Sequence, residues 1–492
     1  MICTGDRRPI SSDEAIAILE TGSDVDVSDD DDPDWNDFFH QGVTNLGDEL
    51  ENNASDQDQP STSTAPEVNN SLAPRAKSRR MKWKKQNLDD KVEDLPDTEW
   101  SVGGRELWTP LRYFEQYFSD DIWNLIAEQT NIRALQDNQK PLQTNAKEIK
   151  QFVGAHIITG CMKLPRLRMY YRRGLRVPTV TVIPRDRIFK LRNYLHFVDN
   201  LRIINEERES NKLWKVQPIL DAVRQKCLSL PISRHLSVDE QMIPFSGTTS
   251  LLQFVKGKPN PVGIKNFVLA TPGGLVLDFF IYQGAKTWPD GRPRENLGVG
   301  GSVVAKLLDG RIPSEHTVYC DRYFTSIPLF EYLLERRIFA TGTILNSRID
   351  NSIRTKLTGD ADLKKRGRGS YDEFVREDGQ ISILKWMDNR SVLMASTASG
   401  ARPIHRVRRW DKKNKTYIDV EQPKSIHNYN MSMGGVDLSD RMISFYRIGT
   451  RTKKWPVRVF FHFIDLAVVN SWIEYRLDQK ALDTHQSRSW IS

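Results

Sequence analysis

The 492-residue sequence predicts a mixed α/β protein: a mixed sheet preceded by a mostly helical part, a polar, basic segment with short β-like runs, and an acidic N-terminal tail without a fold. Three observations predict it. Apolar residues recur at helical spacing up to about residue 235. Strand-length apolar runs begin there, first as a hairpin and then alternating with helices. The first 74 residues are strongly acidic, and within them 55–71 hold almost nothing to bury.

Residues 1–74 carry 18 Asp and Glu against 2 Lys and Arg, and SDVDVSDDDDPDWND (23–37) alone has eight Asp. This tail, at −16, is expected to be disordered. The remainder, 75–492, is +23. So basic a body points to a polyanion, most simply nucleic acid; a solubilising surface is the plain alternative. A basic linker spans 75–104, opening with RAKSRRMKWKK. Its Arg79, Arg80, Lys82, Lys84 and Lys85 read as a nuclear localisation signal or a phosphate-binding arm, with a solvated linker as the alternative.

The globular pattern starts near 105. TPLRYFEQYFSDDIWNLIAEQTN (109–131) places Leu111, Phe114, Phe118, Ile122 and Leu125 at helical spacing, with Asp120 as the cap of a second helix. NAKEIKQFVGAHIITGCM (145–162) and PRDRIFKLRNYLHFVDN (184–200) read as further helices. HLSVDEQMIPF is the first strand. IKNFVLAT (264–271) and GLVLDFFIYQG (274–284) flank PGG as a hairpin. Next come a helix from Ser302, a strand HTVYC (316–320), a helix at 325–337 capped by Ser326, and a strand at 338–344. Residues 346–424 are polar and basic with short β-like runs, QISILKWM and RSVLMAST. GGVDLSDRMISFY (434–446) and WPVRVFFHFIDLAVVNSWIEYR (455–476) are predicted helices. The second is apolar on most faces and therefore expected to be buried, Trp455 and Trp472 included.

No apolar run is read as approaching the roughly 18–20 residues of a membrane span, and no signal-peptide core opens the chain. An intracellular protein without a membrane partner is expected. Cys3, Cys161, Cys227 and Cys320 lie far apart, so free thiols packed as small apolar residues, and no zinc site, are expected. GVGGS (298–302) lacks the Lys-Ser/Thr pair of a phosphate loop and reads as a helix start. His462 reads as a core residue. Lys256, Lys258 and Lys265 around the hairpin, and Arg451, Lys453 and Lys454 before the last helix, are candidates for DNA phosphates, or are solvated loop charges.

Acidic positions stand out against this background. Asp239 lies inside the first strand, Asp321 directly follows HTVYC, and Asp437 opens a helix with Asp440 one turn on. Such carboxylates can hold divalent cations through oxygen, and two metals can activate water against a phosphodiester. The plain alternatives are a turn residue for Asp321, a helix N-terminus for Asp437 and a salt bridge for Asp239. Glu240 should point to the other sheet face.

SVDEQMIPF, KGKPNPVGIKNFVLA, CDRYFTSIPLFEYL, MGGVDLSDRM and RTKKWPVRVFFHFIDLAVVNSWIEYR, in this order, resemble the piggyBac transposase family, in particular the animal piggyBac transposable element-derived proteins, over about 105–476. The resemblance implies a ribonuclease H-like catalytic core with a three-aspartate site at Asp239, Asp321 and Asp437, with Asp440 as a further metal ligand. It implies two Mg²⁺ (or Mn²⁺) ions, and cleavage, hairpin formation and strand transfer of double-stranded DNA at TTAA sites. It also implies a homodimer and a nuclear location. The core would occupy 236–345 and 425–445, interrupted by an insertion domain at 346–424. A helical dimerisation and DNA-binding domain would be built from 105–235 and 446–480, with a tail at 481–492. The family's cysteine-rich zinc domain is not expected, since no cysteine follows Cys320. A domesticated, catalytically silent DNA- or chromatin-binding protein is the alternative.

Overall fold

The computed structural model describes residues 82–489, apart from 93–99, 104–105, 139, 173, 175–176, 179, 256–259 and 412–413. The acidic tail, Arg79, Arg80, Lys256, Lys258 and Cys3 lie outside the described residues.

The chain begins with a short strand β1 (Trp83–Lys84) and continues through helices α1 (Pro110–Glu115), α2 (Asp120–Asn138), α3 (Ala146–Met162), α4 (Arg185–Tyr194), α5 (Asn205–Ser210) and α6 (Gln217–Leu228). Asn145 caps α3 by accepting from the Glu148 amide. Asp120 is the first residue of α2 and not its cap; the Trp123 amide donates to the Ser119 carbonyl.

The sheet follows: β2 (His235–Pro244), β3 (Leu252–Phe254), β4 (Val262–Ala270), β5 (Val276–Ile281), α7 (Gly298–Leu308), β6 (Thr317–Cys320), α8 (Ile327–Leu334) and β7 (Phe339–Thr343). Then come α9 (Asn351–Arg354), α10 (Asp360–Arg366), β8 (Tyr371–Arg376), β9 (Ser382–Met387), β10 (Ser391–Ser396), β11 (His405–Asp411) and β12 (Thr416–Gln422). Helices α11 (Lys424–Ser432), α12 (Gly435–Tyr446) and α13 (Trp455–Ser489) close the chain.

Ten strands form one sheet in the order β1-β8-β9-β10-β7-β6-β2-β4-β3, with β5 also paired to β4. β2 and β5 each pair antiparallel with β4, whereas β6 joins β2, and β7 joins β6, in parallel. β8 to β10 extend this same sheet, antiparallel from β7. β11 and β12 form a separate two-stranded ribbon. The β4–β5 turn uses Gly274 at φ +88°, a conformation glycine adopts without steric cost.

Helix α7 starts at Gly298, four residues before the expected Ser302. Three glycines in its first turn argue against a helix by propensity alone. The fold requires one of them: a Cβ on Gly300 would lie 2.4 Å from the Tyr323 carbonyl oxygen. Strand β1 is a second departure. Within the expected basic linker, Trp83 is buried and pairs with Arg376 of β8.

Helix α13 is long and apolar enough to cross a membrane by length and composition, so an apolar stretch of spanning length does exist. Its apolar window is 72% buried within this fold. The N-terminal helices close on it: Phe118 and Phe197 meet Phe460, and Phe152 meets Phe461. Polar groups buried along it are paired. Trp100 Nε1 donates to Asp478 at 2.7 Å, and Tyr117 and Lys226 donate to Glu474 at 2.6 and 2.8 Å. Trp472, expected in the core, is 53% exposed. With Val468 and Arg476 it falls on the one stripe of α13 that helical periodicity turns to solvent. Cys161 is likewise exposed, unlike the buried Cys227 and Cys320.

Candidate active site

β2 runs through the middle of the sheet, with β4 on one side and β6 on the other. Its side chains alternate, so Ser237, Asp239 and Gln241 share one face, and Val238, Glu240 and Met242 the other. Asp239 is buried at 7% exposure, with its Oδ1 accepting from the Glu240 amide at 2.8 Å. The parallel register ends on the pair Val238 and Cys320. Asp239 and Asp321 are therefore the next residue on each of two neighbouring strands, about 4.8 Å apart in a sheet. Two carboxylates separated by a long crossover are brought side by side.

The turn after β6 is held from several sides. Asp321 Oδ1 accepts from the Tyr323 amide at 2.8 Å, and the Asp321 carbonyl accepts from the Thr325 hydroxyl at 2.8 Å. One guanidinium nitrogen of Arg348 lies 3.0, 2.9 and 2.8 Å from the carbonyl oxygens of Arg322, Tyr323 and Thr325. Ser326 then caps α8, accepting from the Leu329 amide at 3.3 Å. Gly342 of β7 leaves room underneath: a Cβ there would meet Thr325 Oγ1 at 2.2 Å and the Cys320 carbonyl at 2.5 Å.

Helix α12 lies on the Asp239 face of the sheet. The contact is backbone-close at Gly435, where a Cβ would stand 2.2 Å from the Thr271 carbonyl oxygen and 2.6 Å from Ser237 Oγ. Asp437 sits in the first turn of this helix and is exposed, while Asp440 is half-buried one turn on. Helix α13 covers the same face further along β2. His462 is a buried core residue, as expected, with Nε2 2.8 Å from Gln241 Oε1.

Tyr429 of α11 had no signal in the sequence. Burial above all pushes its phenol well above the ordinary range, and the charges of Asp321 and Asp239 push the same way. Its hydroxyl, hydrogen-bonded to Thr343, therefore stays protonated. Cys320 is similarly pushed up to about 12 by burial, which excludes a thiolate there.

The weaker candidates fall elsewhere. Lys265 lies on the Glu240 face, opposite Asp239, with its ammonium 5.1 Å from the Tyr323 ring and 5.3 Å from that of Phe267. Lys85 pairs with buried Asp372 at 2.8 Å, and Lys84 approaches Glu377 at 4.0 Å. Lys82 is exposed beside β1. Arg451, Lys453 and Lys454 are exposed in the loop between α12 and α13, and Lys454 donates to the Asn193 carbonyl at 2.6 Å.

Asp239 and Asp321 are hard oxygen donors of the kind that suits Mg²⁺ or Mn²⁺. Among the described residues, however, no group of three or more His, Cys, Asp or Glu stands ready to hold a metal. The strand register joins the first pair; Asp437 is not grouped with it.

The family described as Transposase IS4 matches residues 109–472. Human PiggyBac transposable element-derived protein 3 is 32% identical over 415 residues, 82% of this chain and 67% of that protein. The chain belongs to the piggyBac transposase family. Human PiggyBac transposable element-derived protein 2 is 31% identical over 400 residues, 79% of this chain and 64% of its own length. The chain thus spans about two thirds of each piggyBac-derived relative. A cryo-EM structure of a piggyBac transposase synaptic complex with hairpin DNA shares the fold, with a TM-score of 0.63 at 24% identity, covering 80% of this chain and 78% of that one.

Proposed function

We propose that this chain is a DNA strand-cleavage and strand-transfer protein of the piggyBac type, acting on double-stranded DNA at TTAA sites. The observation that carries the reading is the β2–β6 register, which sets Asp239, midway along β2, beside Asp321, just past the end of β6, with α12 packed on the same face of β2. The antiparallel β5-β4-β2 meander, extended in parallel by β6 and β7, supports a ribonuclease H-like core. In this reading Asp239 and Asp321 hold Mg²⁺ (or Mn²⁺), with Asp437 and Asp440 as further ligands from α12. The metal, two ions per site, supplies an activated water or hydroxyl and charge stabilisation at phosphorus. The protein's own part is to hold the Asp321 turn in place through Arg348. A nuclear location and a homodimer belong to the same proposal. So does the division of the chain into a helical domain, a core and an insertion.

The test is Mg²⁺-dependent nicking or hairpin formation on DNA carrying matched transposon ends. Wild-type protein should cut and Asp321→Asn should not; equal activity of the two sinks the catalytic reading. The second reading, a DNA- or chromatin-binding protein that no longer cuts, draws on Asp437 standing exposed and ungrouped. DNA occupancy that survives alanine at all three aspartates, with no cleavage by wild type, would favour it.

A further inference from the structure

The β11–β12 ribbon has two unlike faces. Its inner face, with Val407, Ile418 and Val420, packs in a small core with Leu384 and Trp386. Polar contacts fix it further. Asp388, after β9, pairs with Arg368 at 2.5 Å and with Arg409 at 3.2 Å. Trp386 Nε1 donates to the Glu421 carbonyl at 2.9 Å. The ribbon is thus a rigid arm.

The outer face pairs Arg406 with Glu421, Arg408 with Asp419, and Trp410 with Tyr417 across the strands. Charges near the base of the arm balance. At the tip, Trp410 and Tyr417 are 47% and 59% exposed, with rings 5.1 Å apart and inclined at 68°. The Arg408 guanidinium lies 5.0 Å from the Tyr417 ring. Lys415 is exposed in the turn, held at φ +47°. Neither Arg408 nor Lys415 forms an ion pair with a described residue. A cross-strand aromatic pair stabilises a hairpin, but that role occupies only part of each ring and does not call for cations beside it. A half-exposed Trp410 ring with cations close by suits an unstacked nucleobase and its phosphate. Duplex bases keep their faces in the stack.

We propose that the ribbon tip binds an unpaired nucleotide of the DNA substrate, with its base stacked on the Trp410 ring, Tyr417 bracing that ring from its inclined position, and its phosphate met by Arg408 and Lys415. This rests on the DNA reading above, since strand cleavage and hairpin formation leave nucleotides outside the duplex.

The experiment uses the full chain and fluorescence anisotropy, with labelled oligothymidylate and a duplex of equal length as probes. Trp410→Ala should weaken oligothymidylate binding about five- to a hundredfold, and Tyr417→Ala should weaken it in the same direction. Duplex affinity should hold, and Trp410→Phe should retain most single-strand affinity. Thermal melts of each variant report folding; Trp410 lies outside the inner core of the ribbon. Unchanged single-strand binding in both alanine variants overturns the proposal. So does an equal loss on both probes, which would report a general effect on fold or charge. Wild-type protein that binds neither probe overturns the DNA reading as well. Wild-type protein that binds the duplex but not oligothymidylate overturns the ribbon proposal alone.

Discussion

Asp321 projects from a turn that other residues keep in shape, and Arg348 is the principal clamp. Removing its guanidinium leaves three carbonyl oxygens without their charged donor. Arg348→Ala should cost about 1.5–3 kcal/mol in denaturant unfolding, and Lys, lacking the planar fork, should recover only part of it. An unshifted unfolding midpoint would show that the clamp is idle. At the carboxylates, Asp239→Asn or Asp321→Asn should lower any Mg²⁺-dependent cleavage by about a thousandfold or more, as expected when a metal worth several kcal/mol to the transition state loses a ligand. Both aspartates were legible in the sequence because a carboxylate within or just after a buried strand demands a reason. Arg348 and Tyr429 were not. Their partners are backbone carbonyls and distant carboxylates, and neither leaves a pattern in the local string.

Helix α12 shows how an element positions a site. Its approach to β2 depends on Gly435, whose absent side chain lets the helix meet the Thr271 carbonyl. Gly435→Ala should lift the helix, cost about 1–3 kcal/mol and displace Asp437. Gly434→Ala, where a Cβ meets nothing within 4 Å, should be far milder. Equal effects in melting experiments would contradict this account. Helix α13 carries a different consequence. Burial pushes the Asp465 carboxyl up to about 7, against the Ile448 amide and the charges of Arg447 and Arg458. Burial also lowers His156 and His196 to about 4, and His462 well below its ordinary value. A histidine with a depressed folded pKa favours unfolding on protonation, so its stability returns as pH rises from about 4 to 6.5. A raised carboxyl acts in the opposite sense: stability falls as pH climbs from 3.8 through about 7. The histidines outnumber the carboxyl, so urea midpoints should rise to near pH 6.5 and then sag. Asp465→Asn should gain on wild type at pH 8 relative to pH 5; a constant difference between the two proteins would refute the assignment. The segment before the sheet was only partly legible. Trp83 sits among lysines and reads as a linker, yet the edge of β8 offers it a strand partner and burial.

For the whole molecule, charge and topology matter most. The +23 of residues 75–492 makes DNA affinity, under the proposed function, a phosphate-driven quantity. Its log–log salt slope should be steep, near −0.9 for each phosphate met; a flat slope would remove the electrostatic basis of the reading. The order of strands and helices was largely legible, because apolar runs of strand length alternate with helical periodicity. Their joining was less so. The β8–β10 segment reads as separate by its polar, basic composition, yet its hydrogen bonds continue the sheet from β7. Local composition reports solvent exposure, not which edge a strand will find. The parallel pairing of β2 with β6 has a last consequence, in time. A parallel pair cannot form until its crossover has been made, and such distant pairings are slow to form. During synthesis Asp239 emerges well before Asp321, by roughly four to sixteen seconds at about 5–20 residues per second. A nascent or interrupted chain holds single carboxylates with no partner strand. Under the proposed function, the pair of carboxylates is assembled only once β6 has been made.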